Sequence, residues 1–157
     1  MTQVSTQTDW LATCPKGLEL LLVDELTALG AFNAKETVAA VYFQGSKEVA
    51  YRACLWSRLA NRILMPLHSF MLNESDDLYQ QCNDITWETH FSAAQSIAID
   101  FIGTSRFIDN TMYGSQRVKD AIVDRIRRIE GERPNVDTKN PDIRIQVRNI
   151  RVAFLFL

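Results

Sequence analysis

Pro15-Lys16-Gly17-Leu18-Glu19-Leu20-Leu21-Leu22-Val23-Asp24-Glu25-Leu26-Thr27-Ala28-Leu29-Gly30 is the stretch from which the first half of the fold is read. Leu18, Leu21, Leu22, Leu26 and Leu29 recur along one face of a 3.6-residue period. Pro15 suits a first helical turn and Gly30 the left-handed position past the last one. An amphipathic helix is therefore predicted from Pro15 to Leu29. Working outward, Asp9 to Cys14 can form a short strand before it. After it, Ala39-Ala40-Val41-Tyr42-Phe43 is an apolar, β-rich run that stops at Gly45, with Ala34 to Glu36 as a weak strand between. Ser46 is an N-cap candidate for a second helix reaching Leu55 or Trp56. Arg62 to Phe70 reads as a further strand, in which Pro66 suggests an edge or a bulge.

That order, strand, helix, strand, strand, helix, strand, is the ferredoxin-like order. The polar, acidic Asn73-Glu74-Ser75-Asp76-Asp77 marks a junction, which divides the chain into 1–72 and 73–157. Beyond it, a short helix is predicted from Asp76 to Cys82 and a strand from Ser96 to Ile102, where apolar and polar residues alternate. The clearest later helix runs from about Met112 to Glu130, with Val118, Ala121, Ile122, Ile126 and Ile129 as its apolar stripe. Ile143 to Arg148 alternates as a half-buried strand does. Asn149-Ile150 reads as a tight turn into Val152-Ala153-Phe154-Leu155-Phe156-Leu157. The fold class expected is α+β. Ending inside an apolar strand is what a domain excised from a longer protein would do.

The 157 residues are 46% apolar and 23% charged, enough to build a core without disulfide or metal staples. No apolar run approaches the ~18 residues of a membrane span. The first residues lack the basic and apolar regions of a signal peptide, so a cytoplasmic protein without membrane partners is expected. Cys14, Cys54 and Cys82 are widely spaced, and His68 and His90 have no ligand at metal spacing, so no metal is expected. No G-x-G follows a predicted strand, and P-loop, nucleophile-elbow and zinc-protease patterns are missing. Asn140-Pro141-Asp142 does not match the Asn/Asp-Pro-Pro-aromatic loop of amino-directed methyltransferases. Catalysis by this chain is therefore not expected.

The net charge of −2 conceals an asymmetry. Up to Ser105 there are six Lys/Arg against twelve Asp/Glu, whereas from Arg106 onward there are eleven against seven. Such a basic segment hints at a polyanion-facing surface. On the long helix, Arg117, Asp124 and Arg128 share the side away from the apolar stripe, with Gln116, Asp120 and Arg127 on the neighbouring arc. Arg and Lys placed there can pair with phosphates. Asp124 and Arg128 also have the spacing of an ordinary surface ion pair, so a solvated face and an RNA face both remain open. Gly114 costs helix stability of ~1 kcal/mol relative to Ala. Loop geometry is one reason for it, and close approach by a partner, such as a phosphate at the helix N-terminus, is the other. Phe107 and Tyr113 can stack on bases or pack in a core. Arg133-Pro134-Asn135-Val136-Asp137 reads as a turn with an exposed arginine, whose Asn and Asp could cap backbone groups.

Cys14-Pro15-Lys16-Gly17-Leu18-Glu19, followed by Asp24-Glu25-Leu26 and Leu29-Gly30, resembles the N-terminal signature of bacterial large-subunit rRNA guanine-N2 methyltransferases. Trp56-Ser57-Arg58-Leu59-Ala60-Asn61-Arg62 resembles their second-helix exit. Tyr113-Gly114, Val118 to Asp124, Arg133 to Asp137 and Pro141-Asp142-Ile143-Arg144 resemble the THUMP domain of the same family, which also carries the label N6-adenine-specific DNA methylase. The resemblance runs from about Leu11 to Leu157. It implies a ferredoxin-like subdomain followed by a THUMP α/β domain that binds RNA, 23S rRNA in particular. A Rossmann-like methyltransferase domain of the same parent would lie outside this chain and hold S-adenosylmethionine, with no cofactor expected here. Lys119, Arg133, Asn135 and Arg144 would sit at or near the RNA face. Together with Arg106, Tyr113, Gly114, Arg117 and Arg128 they form the candidate RNA-binding set. Ser115-Gln116-Arg117 departs from the small-residue run of the family. The alternative function is a protein–protein or small-ligand module of ferredoxin-like fold.

Overall fold

The computed structural model describes residues 7–69, 71–74, 76–148 and 151–155, the last five by backbone alone. They fall into two compact units, one within Met1–Pro66 and one within Leu67–Phe154.

The first unit contains β1 (Thr8–Thr13), α1 (Glu19–Ala28), β2 (Phe32–Thr37), β3 (Ala40–Gly45), α2 (Lys47–Trp56) and the start of β4 (Arg62–Ser69). Strand order is β2-β3-β1-β4, with β1 antiparallel to both β3 and β4. The ferredoxin-like order expected from the sequence is the order found. Trp10 and Ala12 point inward from β1, where Leu22 and Leu26 of α1, Phe43 of β3, Ala50 and Ala53 of α2 and Ile63 of β4 close the core. Ser46 caps α2 as expected, its Oγ accepting the Val49 N–H at 3.4 Å.

Three details differ from expectation. α1 starts at Glu19 rather than Pro15, because Gly17 takes φ +97°, which no helix accommodates, and the Leu18 N–H closes a turn onto the Pro15 carbonyl. The buried face is narrower than the leucine pattern suggested: Leu22 and Leu26 are fully buried, whereas Leu21 is 57% exposed. β2 is a complete strand rather than a three-residue one, yet nearly all its side chains are exposed, so it carries no alternation to read. Phe70 lies outside the described residues.

The second unit contains α3 (Asp77–Asp84), a short 3-10 turn (Trp87–Thr89), β5 (Ile97–Ile102), α4 (Thr111–Glu130), β6 (Ile143–Arg148) and β7 (Arg151–Leu155). β5 and β6 are parallel, from Ile97 opposite Ile143 to Ile102 opposite Arg148, and α4 is their crossover. β7 returns antiparallel to β6, with Arg151 opposite Arg148. The turn expected at Asn149-Ile150 and the last residues of the terminal run lie outside the described residues. Asn110 caps α4 by accepting the Met112 and Tyr113 N–H groups on its Oδ1, and Gly131 ends the helix at φ +80°. Of the predicted stripe, Val118, Ala121, Ile122 and Ile126 are buried, while Ile129 is 49% exposed at the helix end.

Candidate nucleic-acid interface

α4 is held on both flanks, and this decides which of its cations are available. Against the sheet, a Cβ on Gly114 would lie 2.8 Å from the Phe101 ring, and the Ser115 Oγ donates to the Ile99 carbonyl at 3.3 Å. The close approach that Gly114 permits is therefore by its own strand β5, not by a partner. Nor is the helix N-terminus open to a phosphate: Asn110 already accepts two of its N–H groups, and the Gly114 N–H bonds the Asn110 carbonyl at 3.0 Å.

Against α3, the Asn83 side chain donates to the Ala121 carbonyl at 2.9 Å and Tyr79 Oη donates to Asp124 at 2.7 Å. That hydrogen bond, with burial and the Asp124 charge, pushes the Tyr79 phenol up. Arg117 lies with its guanidinium 4.7 Å from the Tyr79 ring centre and 3.7 Å from the Asp76 carboxylate. The side that the helical wheel assigned to solvent thus faces α3, and Arg117 is part of that contact. Its Nε is buried and has no hydrogen-bond partner among the described residues.

The other candidates separate in the same manner. Arg144 is half-buried and places Nη1 3.1 and 3.2 Å from the two Asp100 oxygens, with Nη2 3.4 Å from the Thr138 carbonyl. It braces β6 against β5. Lys119 Nζ sits 2.7 Å from Asp120 in a partly exposed pair, a contact that phosphate can displace at little cost. Arg106 is exposed beside the Phe107 ring at 5.6 Å, Tyr113 is 44% exposed, and Arg128 lies exposed on the last turn of α4. Arg133 and Asn135 are exposed, although the Asn135 carbonyl accepts the Ile97 N–H at 2.8 Å and Val136 bridges Ile97. Asp137 does cap backbone, accepting the N–H groups of Lys139 and Asn140.

Apart from Lys119 near the middle of α4, the available residues form two groups. Arg106 and Tyr113 lie where β5 ends and α4 begins. Arg128, Arg133 and Asn135 lie at the other end of α4, about 30 Å away for a helix of this length. Sequence reasoning passed over Arg148, which stands beside Ile102 at the first end. Its signal was legible: Arg144, Gln146 and Arg148 alternate on one side of a strand. Among the described residues no group of three potential metal ligands exists, and burial pushes the Cys82 thiol up to about 12. No helix is long and apolar enough to cross a membrane among the described residues.

The RlmL ferredoxin-like domain family matches residues 9–64, and the THUMP domain family matches residues 73–157. A ribosomal RNA large subunit methyltransferase K/L of Aeromonas salmonicida (strain A449) is 54% identical over 137 residues, which are 87% of this chain and 19% of the relative. The protein of that name from Cellvibrio japonicus (strain Ueda107) is 50% identical over 139 residues, 88% of this chain and 18% of the relative. The chain thus spans about a fifth of the length of the curated relatives it matches. Among solved structures, one described as a predicted N6-adenine-specific DNA methylase from Listeria monocytogenes superimposes with a TM-score of 0.74 at 23% identity. The match covers 96% of this chain and 40% of that one, and it speaks for the fold alone. With both family matches in sequence along it, the chain belongs to the THUMP domain family and carries an RlmL ferredoxin-like domain ahead of that THUMP domain.

Proposed function

We propose that this chain is the RNA-binding part of a ribosomal RNA methyltransferase, which positions 23S rRNA for guanine-N2 methylation by a catalytic domain elsewhere in the parent. The observation that carries this reading is a THUMP domain whose basic residues, Arg106, Arg128 and Arg133, stand exposed around α4 rather than being consumed by internal ion pairs. The relatives, ribosomal RNA large subunit methyltransferases by name, suggest the substrate class. The division into residues 1–72 and 73–157 belongs to the same proposal, as does a cytoplasmic location.

S-adenosylmethionine, the methyl donor of such a parent, does not fit the residues here. Among the described residues, the strand-to-helix turn that precedes the long helix, at residues 103–110, has a single glycine, and Asn110 fills the N-terminus of α4. A donor cradle needs a glycine-rich turn with open N–H groups. No chemical step is assigned to this chain.

A second reading applies to the first unit. Leu20, Leu21, Leu55 and Trp56 on α1 and α2 are all more than half exposed, an unusual outlay of large apolar side chains that suits contact with protein better than with phosphate. The RNA reading is tested by charge reversal. Arg106→Glu and Arg133→Glu should each weaken binding to structured rRNA hairpins by roughly tenfold at low salt, regardless of sequence, with thermal unfolding unchanged. Unaltered binding in both variants would remove these residues, and the proposed face, from the account.

A further inference from the structure

Residues 14–19 and 56–62, which RNA binding leaves unused, meet at one end of the first unit. β1 is antiparallel to β3 and β4, and β2 is antiparallel to β3, so β1 and β2 finish where β3 and β4 begin. The loop after β1, the tip of the β2–β3 hairpin and the exit of α2 are therefore neighbours.

Two carboxylates lock these pieces together. Glu19 accepts the Gly17 N–H at 2.8 Å and the Ala39 N–H at 2.9 Å, so the first turn of α1 holds both its own loop and the hairpin tip. Glu25, further along α1, accepts the Ser57 hydroxyl at 2.6 Å and the Arg58 N–H at 2.8 Å, which ties the exit of α2 to α1. The Asn61 N–H closes the frame on the Thr13 carbonyl at 2.7 Å. Ala39 is held at φ +56°, a left-handed conformation that a residue with a Cβ keeps only where its surroundings fix it.

What this frame displays is apolar. Leu20 and Leu21 stand on the first turn of α1, Val38 at the hairpin tip, and Leu55 and Trp56 on the last turn of α2, with Tyr51 one turn behind Leu55. Each is at least half exposed. Single exposed apolar residues need no explanation, but five gathered at one end, on segments fixed against collapse, form the kind of patch that marks a protein contact. Lys16, Asp24, Glu36 and Arg58 are exposed in the same segments. That is the mixed rim of a protein interface, not the single-sign field that steers a polyanion.

The size of the relatives points to the occupant. The chain spans about a fifth of their length, so most of a parent of that kind lies outside it. A domain on the same polypeptide meets this face at an effective concentration of the order of millimolar, which separate proteins seldom reach. We propose that this end of the first unit seats the methyltransferase part of the same parent, docked on Leu21, Leu55 and Trp56 across α1 and α2. The inference rests on the reading of the first unit as a protein contact, names the partner, and leaves RNA to the second unit.

The test compares this chain with the intact parent by hydroxyl-radical footprinting, which reads side-chain accessibility peptide by peptide. Oxidation of Trp56 should be roughly fivefold slower in the parent, in step with the area a side chain loses at the centre of an interface. Trp56→Glu, which puts a charge into an apolar contact, should raise Tyr51 oxidation in the parent to the rate of the isolated chain. In this chain W56E should leave binding to rRNA hairpins, and its salt dependence, unchanged. Equal oxidation of Trp56 in chain and parent would overturn the proposal. So would protection in the chain alone that grows with its concentration, since a second copy would then be the occupant. Weaker hairpin binding by folded W56E would overturn it too, because the face would then belong to the RNA. Failure of the unaltered chain to bind hairpins at low salt would sink the RNA reading alone, with the footprint still deciding the docking. The footprint of the unaltered proteins needs no variant, so it decides even where W56E fails to fold.

Discussion

Gly114 shows how one residue's role changes once its neighbours are known. In a helix, alanine is favoured over glycine by about 1 kcal/mol. Here the added Cβ would meet the Phe101 ring at 2.8 Å, and overpacking of that kind costs roughly 1–3 kcal/mol. Gly114→Ala should therefore lower stability by about 1 kcal/mol despite its better helix propensity, read as a fall in the thermal midpoint. In a Phe101→Leu background, where the ring is gone, the same change should become neutral or favourable. Arg144 makes a parallel case. Removing it leaves the half-buried Asp100 without its arginine, so Arg144→Ala should cost on the order of 1–3 kcal/mol in denaturant unfolding. Were R144A as stable as the parent chain but poorer in RNA binding, the bracing role assigned to it would be wrong.

The seam between α3 and α4 depends on one charged cluster. Arg125 donates through Nε and Nη2 to the two Glu88 oxygens at 2.8 and 2.7 Å, and through Nη1 to the Asn83 carbonyl at 2.9 Å. Both side chains are mostly shielded, 14% and 24% exposed, and the hydrogen bonds from Arg125 hold the Glu88 carboxyl down to about 2. A folded-state value below the unfolded one adds stability that is fully present above the ordinary carboxylate range and is lost as pH falls through the folded value. Unfolding from pH 7 to pH 2 should show this loss below about pH 5, on the order of 2 kcal/mol in total. Glu88→Gln should be less stable at pH 7, and the gap should close toward pH 2. A gap independent of pH would mean that Glu88 contributes by shape rather than by charge. The elements themselves were largely legible: leucine spacing, Ser46 and the alternation of Ile143–Arg148 sufficed for α1, α2 and β6. What stayed hidden has a shared cause. The contacts of Arg117 with Tyr79 and of Arg144 with Asp100 were not legible because those partners lie 38 and 44 residues away, beyond the reach of any single-element pattern. Gly17 was read as helical because nothing local reveals that its φ is positive.

Across the molecule, the change from acidic to basic residues at Arg106 falls inside the second unit, while the two units differ in which side chains they expose. Exposed leucines and a tryptophan mark the first, exposed arginines the second. The basic residues divide between the two ends of α4, so a bound RNA is expected to run along the helix and touch both, rather than meet a single patch. This arrangement would reach only a few phosphates, which makes for modest affinity that falls steeply with salt. The central claim, that this chain grips structured RNA, is tested most directly by titrating it with rRNA hairpins at low and moderate salt, with duplex DNA of equal length alongside. The account predicts RNA binding that exceeds DNA binding and drops sharply between the two salt concentrations. Equal affinity for the two nucleic acids, or no RNA binding even at low salt, would contradict it.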